Sequence, residues 1–124
     1  GLVIDSYFSA TKIKWILDQG CFLGLDRYPG RLVSPHMRTV TLKRLMDMGY
    51  AERLCPSHDC ICLHIHNEQA DGSIPAEHAF TASNPDQYLY MHRHVIPELL
   101  QMGATQTDID MLFIDNPKRL FEGA

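Results

Sequence analysis

Cys21-Phe22-Leu23-Gly24-Leu25-Asp26-Arg27-Tyr28-Pro29-Gly30 is the stretch whose reading decides the fold. Its first half is apolar without alternation, as a strand buried on both faces requires, and its second half breaks the run with an acid, a base and Pro-Gly. That pattern predicts a parallel strand followed by a loop. Working back from it, Ala10 to Gln19 places Ile13, Ile16 and Leu17 at helical spacing, with Ser9 or Thr11 to open the helix and Gly20 to cap it. Working forward, the unit repeats. Arg38 to Met48 carries Leu42, Leu45 and Met46 on one helical face, Gly49 follows as the cap, and Arg53 to Ser57 reads as a second short strand. Helix, strand, helix and strand joined by short links imply parallel pairing through right-handed crossovers, the alternation of α/β proteins.

The remainder is helical after a long interruption. Residues 60–87 keep no period and contain Asp71-Gly72, Pro75 and Asn84-Pro85, which predicts a loop long enough to ask for a function. Tyr88 to Met102 returns to helical spacing through Met91, Val95, Leu99 and Met102, with a kink expected at Pro97 and a stop at Gly103. Thr107 and Asp110 have the spacing of a capping box for a short helix bearing Ile109, Leu112 and Phe113. Asn116-Pro117 then offers a cap and a first-turn proline for a last turn with Leu120 and Phe121.

Composition narrows the class of protein. The chain has 124 residues, 45% hydrophobic and 21% charged, which suits one globular domain with a modest core. A formal charge of -4, with Lys and Arg dispersed, gives no footprint for nucleic acid or an anionic membrane. No apolar run approaches the roughly 18 to 20 residues of a spanning helix and no basic-then-apolar leader opens the chain, so the expected location is cytoplasmic. Cys21, Cys55, Cys60 and Cys62 are then expected as reduced thiols. The start at Gly1 suggests a chain cut from, or assembled out of, something longer.

In parallel α/β barrels, chemistry sits just past the carboxyl ends of the strands, where the loops converge. Asp26-Arg27-Tyr28 follows the first strand and Ser57-His58-Asp59 the second, so an acid, a base and several donors share one mouth. With these residues in view, Phe22 to Tyr28, Gly49-Tyr50-Ala51-Glu52-Arg53-Leu54 and Ser57-His58-Asp59 resemble the phosphotriesterase family in order and spacing. Val95-Ile96-Pro97, Met102-Gly103 and Asp115 to Phe121 resemble its last barrel helix and terminal segment.

Across residues 20–124 the resemblance implies a partial (β/α)8 TIM barrel, comprising strands seven and eight with their helices and the C-terminal helices. It makes Asp59 the eighth-strand carboxylate that binds a catalytic divalent metal, zinc being the expected ion, and that serves catalysis on the metal-bound water. It places Arg27 and Tyr28 at the border of the substrate pocket, with small phosphotriesters, lactones or related esters as substrates. The family's His-x-His pair, carbamylated lysine and two further histidines lie on strands these residues do not include. One carboxylate cannot hold a catalytic ion by itself, so the expected activity of these residues alone is close to none. Completion by self-association through exposed barrel edges, or by a partner chain, is the corresponding expectation.

Residues 1–19 are different. Gly1-Leu2-Val3-Ile4-Asp5-Ser6-Tyr7-Phe8-Ser9-Ala10-Thr11-Lys12-Ile13-Lys14-Trp15-Ile16-Leu17-Asp18 is similar to a segment of glycerol kinases, in which the tyrosine matching Tyr7 contacts the polyol. The rest of such a kinase is absent, so Tyr7 reads as a surface or packing aromatic, with a glycerol kinase remnant that binds a polyol through it as the last of the readings. The chain thus resembles a junction near Asp18 to Cys21, with the first segment expected to pack where the barrel's preceding helix belongs.

Other patterns have more than one reading. Cys60-Ile61-Cys62-Leu63-His64-Ile65-His66 alternates strictly, and as a strand would put two thiols and two imidazoles on one face. Joined to Asp59, that face would make a non-enzymatic zinc-binding or interaction module; otherwise it edges a loop. Arg27 is equally an ion-pair partner for Asp26 or Asp59, and Asp59 a turn residue. Tyr88, Tyr90, His92 and His94 fit a wet helix face better than a site.

Overall fold

The computed structural model of the chain describes residues 10–30, 33–58, 60 and 84–123. Tyr7, Asp59, Cys62, His64 and His66 lie outside these residues.

Helix α1 (Ala10–Asp18) leads to strand β1 (Leu23–Leu25). Helix α2 (Pro35–Leu45) leads through a π-helical turn (Met46–Tyr50) and a 3-10 turn (Ala51–Arg53) to strand β2 (Leu54–Pro56). The strands pair in parallel, with Leu23 opposite Leu54, Gly24 opposite Cys55 and Leu25 opposite Pro56. The α/β alternation read from the sequence is therefore present, with the strands trimmed from the expected Cys21–Leu25 and Arg53–Ser57. Pairing continues beyond the regular ladder at one end only: Ser57 N–H donates to the Leu25 carbonyl at 3.1 Å and Tyr28 N–H to the Ser57 carbonyl at 3.3 Å.

Alternation along these short strands gives the sheet two unlike faces. Leu23, Leu25, Leu54 and Pro56 are buried, whereas Gly24 and Cys55 are half-buried. The three leucines join one core with Ile13 and Leu17 of α1, Leu42 and Leu45 of α2, and Met91, Val95, Leu99, Ile109 and Leu112 from the C-terminal helices. Fully burying such a side chain contributes about 1.5–3 kcal/mol, so this dry face anchors the fold.

α1 is part of that core rather than an appendage. Ile13 and Leu17 face inward as their spacing predicts, and Gly20 stops the helix at φ +79°. At its end, the Tyr50 hydroxyl donates to Asp18 Oδ1 at 2.6 Å, and Lys14 Nζ donates to Asp18 Oδ2 at 2.6 Å. These partners hold the Asp18 carboxyl below its ordinary range.

Several local expectations need correction. α2 starts at Pro35, not Arg38, because Ser34 Oγ accepts from Met37 N–H at 3.2 Å and proline at the first position needs no donor. The capping box is Thr105 with Asp108, not Thr107 with Asp110: Thr105 N–H donates to Asp108 Oδ2 at 2.7 Å, and Asp108 N–H to Thr105 Oγ1 at 3.2 Å. It opens helix α4 (Gln106–Asp110), which continues through a π-helical turn (Met111–Asp115) into α5 (Asn116–Glu122). Asn116 is consequently no cap. Its side chain is fully buried and donates to the carbonyls of Ala51 at 2.7 Å and Leu54 at 2.8 Å.

The helix expected from Tyr88 to Met102 is built in pieces: a 3-10 turn (Gln87–Leu89), a π-helical turn (Met91–Val95) and α3 (Ile96–Gln101). Pro97 lacks the N–H that a regular helix would use, and the wide turn stands directly before it. Gly103, at φ +90°, ends α3: its N–H reaches the Leu100 carbonyl and Ala104 N–H reaches that of Leu99, each at 3.0 Å. Among the described residues no helix is long and apolar enough to cross a membrane.

Candidate functional site

The polar groups of the sheet collect where β1 and β2 end. Asp26 is half-buried and accepts from Ser57 Oγ at 3.2 Å, one strand to the other. Its carboxylate folds back over Gly24, where a Cβ would stand 3.1 Å from Oδ1, so the absent side chain leaves room for it. Beneath lies Cys55, whose thiol pKa is pushed up first by burial and then by the Asp26 charge. It stays a protonated thiol and a poor nucleophile.

Arg27 and Tyr28, paired in the sequence reading as pocket residues, part company here. Arg27 is exposed with φ +68°, a left-handed backbone that few non-glycine residues adopt. Tyr28 is 2% exposed and turns into the core. Burial drives its phenol pKa far above the ordinary value, with Thr39 beside the hydroxyl as the main opposing influence. Tyr28 is therefore a neutral anchor, and of the two only Arg27 is exposed at the mouth.

On β2's side, His58 Nδ1 accepts Cys60 N–H at 3.0 Å, so the neutral ring carries its proton on Nε2. The ring meets Tyr88 edge-on with centroids 5.1 Å apart. Among the described residues Cys21, Cys55 and Cys60 are free thiols. His92 and His94 are exposed and Tyr90 packs half-buried against the core: His94 Nε2 and Arg93 Nη1 both meet Asp86 at 2.5 Å, and His94 lies against Tyr90 with centroids 4.6 Å apart. Those two partners, His94 first, hold the Asp86 carboxyl below its ordinary range.

A divalent ion needs at least three converging ligands. Among the described residues no three His, Cys, Asp or Glu stand close enough to hold one. The described residues therefore do not fit a metal centre by themselves, and Asp59, the ligand expected from the sequence, lies outside them. Two mouth residues escaped the sequence reading, Arg38 and Gly30: Arg38 Nη1 donates to the Asp26 carbonyl at 3.1 Å, and its guanidinium covers Gly30. Pro29-Gly30 signalled a turn, but nothing local signalled its partner.

The phosphotriesterase family model matches residues 3–121, beginning within the segment that resembles glycerol kinases. The chain is similar to a phosphotriesterase homology protein of Mycobacterium tuberculosis, 32% identical over 111 residues, which are 89% of this chain and 32% of the relative. It is also similar to an aryldialkylphosphatase of Saccharolobus solfataricus, 32% identical over 88% of this chain and 33% of that protein. Among solved structures, the phosphotriesterase from Mycobacterium tuberculosis superposes with a TM-score of 0.74 at 29% identity, over 92% of this chain and 33% of that one. A variant organophosphorus hydrolase from Deinococcus radiodurans gives 0.74 at 25% identity, over 91% and 34%. The chain thus spans about a third of the length of the curated relatives it matches. With a family match over nearly all of its residues and a parallel β-α-β unit to carry it, the chain belongs to the phosphotriesterase family.

Proposed function

We propose that these residues form the closing section, strands seven and eight, of a (β/α)8 barrel hydrolase that cleaves small phosphotriesters, lactones or related esters. The observation that carries this reading is the parallel β1–β2 pair ending in Asp26, Arg27 and Ser57 at one mouth, in a chain of this family. Names among the relatives, an aryldialkylphosphatase and a lactonase-derived organophosphate hydrolase, point to this substrate range.

In this reading Asp59 is a ligand to a catalytic divalent ion, zinc first, and Arg27 faces the substrate from the opposite strand. A bound ion would supply an activated water and charge stabilisation. What the described residues do is narrower. Ser57 and Asp26 hold the two strand ends together, Tyr28 roots the loop in the core, and Arg27 presents a cation to a substrate oxygen. The remaining ligands belong to other barrel strands, so the 124 residues alone do not turn over substrate. The half-open Gly24–Cys55 face is the side those strands would cover, whether within one barrel or by association of chains.

The test is a chimera in which residues 20–121 replace the matching third of the Mycobacterium tuberculosis relative. Metal-dependent hydrolysis of a phosphotriester or lactone is the expected result. A folded chimera that holds divalent metal yet hydrolyses neither would refute the hydrolase reading. Tight zinc binding by the 124-residue chain itself, without turnover, would instead favour a metal-binding module around Asp59, Cys60, Cys62, His64 and His66.

A further inference from the structure

The loop from Asp26 to Gly30 is held from two sides. On the strand side, Tyr28 N–H bonds the Ser57 carbonyl at 3.3 Å and its ring is sunk in the core. On the helix side, Arg38 of α2 reaches back to the Asp26 carbonyl, Nη1 donating at 3.1 Å. The same guanidinium fills the space above Gly30. A Cβ there would stand 2.4 Å from Arg38 Nε and 2.8 Å from Cζ, and Gly30 itself has φ +81°. Between these restraints stands Arg27, at φ +68° and exposed. An L residue keeps a left-handed backbone only where its surroundings over-determine it.

We infer that Arg38 is a positioning residue: through the Asp26 carbonyl and the glycine it overlies, it holds Arg27 in the left-handed conformation and so sets how that guanidinium is presented at the mouth. The functional half of this inference rests on Arg27 facing the substrate; the conformational half does not. The chemistry calls for arginine. A planar fork can donate from one nitrogen while its face covers Gly30, whereas a lysine offers a point donor and no plane. The Asp26 side chain accepts from Ser57 across the strands, and what Arg38 reaches is the backbone carbonyl of the same residue.

The conformational half is read by NMR on the isotopically labelled 124-residue chain, because a left-handed φ gives a strong intraresidue amide-to-Hα cross-peak at Arg27. In Arg38→Met, which keeps the stem and loses the fork, that cross-peak is expected to fall to the level of the neighbouring extended residues, while the α3 to α5 signals stay in place. Arg38→Lys should be intermediate. A folded Arg38→Met chain with the Arg27 cross-peak intact overturns the inference. Should Arg38→Met fail to fold, Arg38→Lys decides: an unchanged cross-peak overturns, a weakened one supports. The functional half is read in the chimera, where Arg38→Met is expected to raise KM about tenfold with kcat within about twofold. Unchanged KM in an active chimera overturns that half. An inactive parent chimera would remove the hydrolase reading and leave the NMR result standing.

Discussion

Where β2 begins, an amide side chain is fully buried and hydrogen-bonded; where β1 and β2 end, polar groups are half-open and the Arg27 backbone takes a left-handed φ. At the first end, Asn116 of α5 is fully enclosed, with both amide protons spent on the carbonyls of Ala51 and Leu54. Its Oδ1 accepts from Arg119 Nη2 at 2.5 Å, and that same nitrogen donates to the Glu52 carbonyl at 3.3 Å. At the other end, Asp26 and Ser57 share one 3.2 Å bond, and Arg27 stands exposed at φ +68°. The difference separates labour. One end holds β2 to α5, and the other gathers an acid, a hydroxyl and an exposed arginine where the strands stop.

The contrast is most easily broken at Asn116. Asn116→Leu takes the side-chain donor from the buried Leu54 carbonyl and one of two donors from that of Ala51, which Leu54 N–H still holds, and the expected loss is about 2 kcal/mol in urea unfolding. A loss under about 1 kcal/mol would mean that the enclosed amide is not what secures β2. Next in size is the Thr105 cap of α4, a helix whose Ile109 is buried in the core. Thr105→Ala should cost about 1 kcal/mol by the same measurement.

A pH dependence sharpens the same point. Hydrogen bonds from the Thr105 backbone and hydroxyl hold the Asp108 carboxyl below its ordinary pKa. A carboxyl with a folded pKa below its unfolded one stabilises the fold above the unfolded value, and that stability is lost as pH falls through the folded value. The gap between wild type and Thr105→Ala should therefore narrow below about pH 4 in acid titrations followed by circular dichroism. A gap constant down to pH 2 would show that the Thr105 hydroxyl does not engage the carboxylate. Smallest is Ser57→Ala at the mouth, expected to cost only a few tenths of a kcal/mol in unfolding, because solvent can replace the lost donor. A loss rivalling that of Asn116→Leu would erase the distinction between the ends.

These two regions were also unequally legible in the sequence. The mouth was readable because apolar runs ending in Asp26-Arg27 and Ser57-His58 mark both a strand and the polar turn at its carboxyl end. The helix faces were readable because Ile13, Leu17, Leu42, Leu45, Met91, Val95 and Leu99 repeat at helical spacing, and all are buried. Local chemistry with two solutions misled: Thr105-Gln106-Thr107-Asp108-Ile109-Asp110 contains two overlapping box spacings, and only tertiary packing selects the first. Asn116-Pro117 looks like a helix start, yet its amide serves carbonyls some sixty residues away, the 116-to-51 and 116-to-54 bonds that no local pattern encodes. The same holds for Arg38 and Asp26. Tyr28 was read toward the pocket with Arg27 because adjacent residues share a loop; which of the two turns inward depends on the helices packed against it.

The most direct test concerns Asp59, the metal ligand of the proposed function, which follows Ser57-His58 in the sequence. Divalent metal bound per barrel should be measured by elemental analysis of the chimera before and after Asp59→Asn. The expected result is a clear drop in retained zinc together with a loss of hydrolysis greater than about a hundredfold, beyond what second-sphere changes produce. Unaltered metal content and turnover in a folded Asp59→Asn chimera would contradict the assignment of this mouth to a metal-dependent hydrolase centre.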